Sequence, residues 1–429
     1  MSDQYAFELL NTPDNGVLDV TALNDQGDVV GVGRSDASPV NYSAILWKAN
    51  APLVIVNDRQ AVDINDDDEI ICKDRNYDYC TWASGGGGTF SEVYHSGQVH
   101  TIMPLPGMDY PYVDAMAINR NGVVTGGCSN PESGVFIYDS RAGTPMKFLG
   151  FDSVGYAIND QHQVAAMPIN LQGRTTGAIY PLGHAFLIEA VNTTAPTTRD
   201  LGEVLTVEDM NDAVEVVGMR VAGGASDPTA YLCKASDGIA DFIDLGVLPG
   251  YTKSYAHAIN SKGDVVGACY SSNRNGYWNG DTPFLWSSSG GMQDLNSLCS
   301  DRGPWRLQSA KDINENGQIL GMCASKQGTT AAFLLTPIPD FAYSQIRYLG
   351  QIYDLLRGSD GLVWFGPGTR PIPIDPRVLW EQSSTELQDI LIGMSMGALS
   401  LFAQARSREE MERSVVRMIR RAIEKLRES

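Results

Sequence analysis

The chain has 429 residues, 43% of them hydrophobic and 19% charged, enough to bury a large core and too apolar for a disordered chain. Lys+Arg number 31 against 51 Asp+Glu, a net charge of −20, which argues against a nucleic-acid backbone or an anionic membrane as the main partner. With 44 Gly and 18 Tyr but only 5 His, the composition fits a turn-rich β protein and leaves little for His-based metal or acid–base chemistry.

The chain opens Met1-Ser-Asp-Gln-Tyr5, with no basic segment and no apolar run of a secretory signal. No window reaches the ~18 uncharged apolar residues of a spanning helix. The expected setting is the cytoplasm or an assembled particle, with no transmembrane segment. The seven Cys form no CxxC pair, so neither a disulfide framework nor a zinc site is expected. Cys72, Cys128, Cys269 and Cys323 recur at equivalent points of a repeat and read as small buried hydrophobes.

That repeat is the dominant signal. After an apolar strand at Tyr5-Ala-Phe-Glu-Leu-Leu10, seven segments share the order small-x-apolar-Asn, polar turn, β-branched pair, as in Thr21-Ala-Leu-Asn-Asp-Gln-Gly-Asp-Val-Val-Gly31. The aligned residues are Asn24, Asn65, Asn119, Asn159, Asn211, Asn260 and Asn314, about 48 residues apart on average, a propeller-blade period. Each Asn reads as closing an Asx-turn, with Gly in the left-handed position of a hairpin. An apolar-aromatic strand follows in every unit, at 44–47, 90–94, 135–138, 185–188, 230–233, 283–286 and 332–335. A further strand often comes next, as in Phe242-Ile-Asp-Leu-Gly246. The predicted fold is all-β: a seven-bladed β-propeller of four-stranded antiparallel blades over 1–339. The last unit stops at Leu335-Thr-Pro without its outer strand, and the N-terminal segment is expected to supply it and close the ring.

The order Ala-Ile-Asn-x-x-Gly-x-Val-Val-Gly, Pro-Phe-Leu-Trp, Met-x-Asp-Leu resembles the HAF-type repeat of bacterial proteins. His184-Ala-Phe-Leu187 carries the letters of that name, and Gly263-Asp-Val-Val-Gly267 with Pro283-Phe-Leu-Trp286 and Gly291-Met-Gln-Asp-Leu295 is the nearest unit. The resemblance runs from about residue 6 to 337. It implies a β-propeller-like repeat and no particular activity. Proteins of this kind are often exported, which the N-terminus here does not match.

Motifs for chemistry are sparse. Asp63, Asn65, Asp67 and Glu69 crowd hard oxygens into the second turn and form the one weak Ca²⁺ candidate; the other six turns lack that density. The five His are scattered, with no His-Glu-x-x-His and no Walker-type loop. Gly393-Met-Ser395-Met-Gly397 has the letters of a nucleophile elbow, but no His follows it. No catalytic residue is assigned and no cofactor is expected. Two long loops after the Val-Val-Gly strands are aromatic-rich. Tyr77, Tyr79 and Trp82 lie in one; Tyr270, Arg274, Tyr277 and Trp278 lie in the other. Such residues anchor protein or sugar contacts, so these seven are the candidate binding set.

Composition changes after Thr336-Pro-Ile-Pro-Asp340. Residues 340–383 read as an arm with a short helix and a hairpin. Residues 384–429 read as a helical pair for docking or oligomerisation. Its apolar stripes are Leu387, Ile390, Leu391, Met394 and Phe402, then Met411, Val415, Ile419 and Ile423. Residues 341–429 hold 12 Lys+Arg against 11 Asp+Glu, leaving 19 against 40 on the ring. The functional expectation is a non-catalytic binding or scaffold ring. Its C-terminal helices would hold it, through a protein partner or further copies, in an assembly such as a virion or other particle. The alternative is a carbohydrate-binding or carbohydrate-active propeller using loop aromatics and channel acids.

Overall fold

The computed structural model describes residues 5–11, 17–34, 42–74, 90–102, 112–129, 133–168, 183–193, 195–221, 227–235, 240–271, 282–299, 302–337, 364–365 and 372–373. Among these, seven four-stranded antiparallel sheets follow one another as the blades of a propeller. From the inner strand outward, blade 1 is Val17–Leu23, Val29–Arg34, Tyr42–Lys48 and Ala51–Asn57. Blade 2 is Gln60–Ile64, Ile70–Lys73, Glu92–His95 and Gln98–Thr101; blade 3 is Tyr112–Ile118, Val123–Ser129, Gly134–Asp139 and Lys147–Phe151. Blade 4 is Ser153–Ile158, Val164–Pro168, Gly183–Glu189 and Thr197–Val204; blade 5 is Thr206–Met210, Glu215–Arg220, Thr229–Lys234 and Asp241–Gly246. Blade 6 is Lys253–Ile259, Val265–Tyr270, Thr282–Ser287 and Gly291–Asp294. Blade 7 takes Trp305–Ile313, Ile319–Ser325 and Thr330–Pro337, and its outer position is filled by Tyr5–Leu9, as the sequence predicts.

The repeated letters have direct structural causes. The β-branched pairs pack into the blade cores: Val265, Val266, Ile319 and Val216 are all fully buried. Cores form between neighbouring blades rather than inside one. Val217, Leu232 and Leu245 of blade 5 pack on Ala256, Ile259, Cys269 and Phe284 of blade 6. Burying a ring such as Phe284 contributes about 1.5–3 kcal/mol. Blade 7 meets blade 1 in the same way, with Leu320, Ala332 and Leu334 against Val20, Leu23, Ile45 and Trp47. The Trp47 indole N–H donates to the Asn11 carbonyl at 2.7 Å, and the Leu10 N–H donates to the Ala332 carbonyl at 3.0 Å. The six described cysteines are buried, Cys72, Cys128, Cys269 and Cys323 among them as predicted; burial pushes the Cys128 thiol up to about 12.

Residues Leu9–Leu334 form one compact unit, and Met1–Glu8 with Leu335–Ser429 form a second. Within the second, Trp364–Phe365 pairs antiparallel with Ile372–Pro373. The two C-terminal helices and their apolar stripes lie outside the described residues. No helix among the described residues is long and apolar enough to cross a membrane.

Candidate functional site

The seven Asn-turns sit at one end of the ring, and their asparagines are buried, each only 1% to 6% exposed. Each side-chain oxygen accepts from backbone N–H groups of its own turn. Asn260 Oδ1, for example, takes the N–H of Lys262 at 3.1 Å and of Asp264 at 3.0 Å. The amide nitrogen then reaches the next blade. Asn24 donates to the Asn65 carbonyl at 3.3 Å, Asn65 to Asn119 at 3.1 Å, and Asn119 to Asn159 at 2.9 Å. Asn211 donates to Asn260 at 3.0 Å, Asn260 to Asn314 at 3.5 Å, and Asn314 back to Asn24 at 2.9 Å. Blade 4 is tied to blade 5 by the Asp160 N–H on Asp212 Oδ1 at 2.8 Å. A hydrogen-bonded belt thus runs around the ring. Only Asn serves, because Asp has the acceptor but not the donor.

The belt frames a cavity of about 200 Å³ lined by Asp25, Asp66, Asp160, Asp212 and Glu315. Arg120 spans its acids, with Nη2 at 2.8 Å from Asp25 and Nε at 3.1 Å from Asp66. Deeper in, Asp63, Asp209 and Asp312 act as clasps between blades. Each accepts the N–H of its own following residue, and its second oxygen takes one from the next blade: Ile118 at 2.8 Å, Ile259 at 2.9 Å and Leu23 at 2.7 Å. Burial pushes the Asp63 carboxyl up to about 7 against the pull of those two donors, and raises Asp209 and Asp312 as well.

All seven inner strands carry a β-bulge at one equivalent place. The bulged residues are Thr21, Val62, Met116, Tyr156, Glu208, His257 and Lys311. All seven are partly exposed, whereas the residue before each is buried. A bulge re-aims a side chain; here it leaves seven side chains of the inner strands partly exposed, with Val62 and Tyr156 leaning on the cores between blades. The Gly of the Val-Val-Gly strand makes room for it. A Cβ on Gly267 would lie 2.0 Å from the Tyr255 carbonyl oxygen, and one on Gly126 2.0 Å from that of Asp114. In blade 4 the roles reverse, with Gly155 on the inner strand facing Ala166.

The bulged ring is two-sided. Blades 2, 3 and 4 present Val62, Met116 and Tyr156; blades 5, 6 and 7 present Glu208, His257 and Lys311, followed by Thr21 of blade 1. Tyr255 donates its hydroxyl hydrogen to Glu208 Oε1. Burial lifts the Glu208 carboxyl to about 7 despite that bond. His257 Nδ1 lies 2.6 Å from the Ala310 carbonyl oxygen. A carbonyl only accepts, so Nδ1 carries the proton and Nε2 keeps its lone pair. Burial, with Lys311 nearby, lowers the imidazole to about 3, so it is neutral. Lys311 Nζ has Asp19 Oδ2 at 3.6 Å as its partner. Beside the apolar arc, Lys73 Nζ sits 3.4 Å from Met116 Sδ and is ion-paired with Asp114 at 2.7 Å.

Of the candidate binding set, Tyr77, Tyr79, Trp82, Arg274, Tyr277 and Trp278 lie outside the described residues. Tyr270 ends the second strand of blade 6 and is buried beside Met219, Tyr255 and Ala268. The strand ends show what those loops share. Connections from second to third strand all leave the end opposite the Asn-turns, and they range from 4 residues in blades 3 and 7 to 18 in blade 2. The residues of the Ca²⁺ candidate have protein partners. Asp63 is a clasp, Asn65 belongs to the belt, and Asp67 and Glu69 meet Arg141 Nη2 at 2.6 and 2.7 Å. Among the described residues, no group of three or more His, Cys, Asp or Glu is arranged to hold a metal ion. The bulged ring was missed at the sequence level. Its signal is the position three before each Asn, which turns from apolar to ionisable over three consecutive repeats.

No protein-family model and no curated protein matches the chain. Among solved structures it is similar to a puromycin-hydrolyzing peptidase of Mycobacterium tuberculosis, at a TM-score of 0.44 and 9% identity, covering 78% of this chain and 52% of that one. It is similar to Trypanosoma rangeli sialidase at a TM-score of 0.35 and 11% identity, covering 86% and 65%. Prolyl oligopeptidase B from Galerina marginata gives 0.37 and 9%, covering 75% and 47%. The chain therefore spans between about half and two thirds of the length of these proteins.

Proposed function

We propose that this protein is a non-catalytic binding and scaffold propeller, with its variable-loop face as the recognition surface and its C-terminal segment joining copies of the chain into a larger particle. One observation carries the reading: the two ends of the ring are built differently. The Asn-turn end repeats one hydrogen-bonded turn seven times and is tied together by side chains. The other end carries connections whose length varies more than fourfold on a constant frame. Variation concentrated on one face of a rigid frame is how folds carry recognition. The C-terminal segment supports the second half. Its two apolar stripes would bury little against each other alone and call for a further surface.

A carbohydrate ligand on the loop face is the second reading, favoured by Tyr277 and Trp278 lying together in one loop. A glycan array with the full chain and with Trp278→Ala separates the two. Specific glycan binding lost in the variant would establish the carbohydrate reading. Failure to bind any glycan, with binding to a protein partner lost when the 271–281 loop is shortened, is the result the scaffold reading predicts.

A further inference from the structure

We infer that the ring of bulged residues is a binding site for a small carboxylic acid with an adjacent hydrogen-bond donor and an apolar body, an apolar α-amino or α-hydroxy acid. It is independent of the loop-face reading, since every group belongs to the inner strands.

Three observations converge. First, the same irregularity recurs in all seven inner strands and sets seven partly exposed side chains at one level of the ring. Second, chemistry divides that layer into arcs. Val62, Met116 and Tyr156 form one; Glu208, His257, Lys311 and Thr21 form the other. A ring that only filled space would not need consecutive blades to supply an acid, a neutral imidazole and an ammonium. Third, the polar groups are not saturated by the protein. The Lys311 ammonium carries three donors, yet its one ion pair among the described residues is with Asp19 at 3.6 Å, beyond hydrogen-bond distance. His257 has Nδ1 held by the Ala310 carbonyl, and its Nε2 lone pair has no partner among the described residues. Both side chains are partly exposed, so this hydrogen-bonding capacity is open to a ligand.

The three groups define the ligand. Lys311 offers a charge-assisted donor to a carboxylate. His257 Nε2 accepts from a neighbouring hydroxyl or amino group. Glu208, turned by Tyr255, takes a further donor and offsets the charge of an ammonium. Lys73 does not compete for the carboxylate, because Asp114 already neutralises it at 2.7 Å. The Val62, Met116 and Tyr156 arc then covers an aliphatic or aromatic side chain.

The test is calorimetric titration of the full chain with L-phenylalanine and L-phenyllactate, alongside 3-phenylpropionate, which lacks the donor, and 2-phenylethylamine, which lacks the carboxylate. The expectation is saturable binding of one or both of the first pair, about tenfold weaker binding of 3-phenylpropionate and none of 2-phenylethylamine. Preference for the amino acid or for the hydroxy acid identifies which source of the donor the site takes. Lys311→Gln and His257→Gln should each weaken binding about tenfold or more, and Met116→Ala should weaken the aromatic acids more than L-alanine. Thermal unfolding of each variant reports whether the ring is intact; should Lys311→Gln fail to fold, His257→Gln and Met116→Ala carry the test. No binding of any probe at millimolar concentration, or binding unchanged in folded variants, would overturn the site.

Discussion

At the scale of single residues, the repeat letters have two kinds of cause, and only one is visible in the sequence. That Asn24 and its six counterparts close a turn is legible, because an Asx-turn is local. That their amides form a belt is not, because partners 40 to 54 residues apart become neighbours only once the ring has closed. The Val-Val-Gly glycines are similar: the letters read as strand, but the reason for Gly lies in the bulge of the facing strand. Gly267→Ala would drive a Cβ into the Tyr255 carbonyl oxygen at 2.0 Å, so we expect a loss of about 3 kcal/mol or more in denaturant unfolding. Gly143, with φ of 64° and open space around it, should lose only about 1 kcal/mol on the same substitution. Equal losses would show that the bulge does not constrain Gly267. Not every turn follows the rule: Asp68, His162 and Val214 hold the left-handed position that Gly takes in the other four, at φ between 57° and 61°.

At the scale of strands and blades, element type, order and the strand that completes blade 7 are legible from periodicity and from the missing outer strand of the last unit. The seven bulges were not, since one extra residue in an inner strand of five to nine leaves no mark on apolar alternation. The clasps were hidden for the same reason as the belt. Asp63, Asp209 and Asp312 alternate with Ala22, Ala117 and Ala258 on the blade that receives each bond, so a small residue stands where a neighbour's carboxylate arrives. Asp312→Ala should leave the N–H groups of Leu23 and Ile313 without their acceptor and cost about 1–3 kcal/mol. Because Leu23 belongs to blade 1 and Asp312 to blade 7, hydrogen exchange should rise first in those two blades. Uniform exchange around the ring would contradict a clasp at that joint.

For the whole molecule, the excess acid belongs to the ring, and part of it faces inward. Glu208 and Asp63, both moved from the ordinary carboxylate range to about 7 by burial, bind protons in the folded ring that the unfolded chain has released. Their contribution is full below about pH 4 and is lost as pH rises through 7. His257 acts in the opposite sense: held neutral when folded, it costs stability as pH falls below 6.5, where the unfolded chain takes up a proton. Between pH 6.5 and 8 the acids therefore govern. The thermal midpoint should fall across that window, and less steeply in Glu208→Gln; identical slopes would remove Glu208 from the account. Function was least legible at this scale, because the ring presents its variable loops and its tail as surfaces whose chemistry depends on what meets them.

The claim that the tail joins copies of the ring into a larger assembly is tested most directly by light scattering of the full chain beside a full-chain variant carrying Ile390→Asp and Ile419→Asp, one on each apolar stripe. The account predicts a full-chain mass that is a multiple of one chain and a variant that falls to a single chain while its ring unfolds at an unchanged temperature. A full chain that runs as a single copy, or a variant that keeps the same multiple, would contradict it.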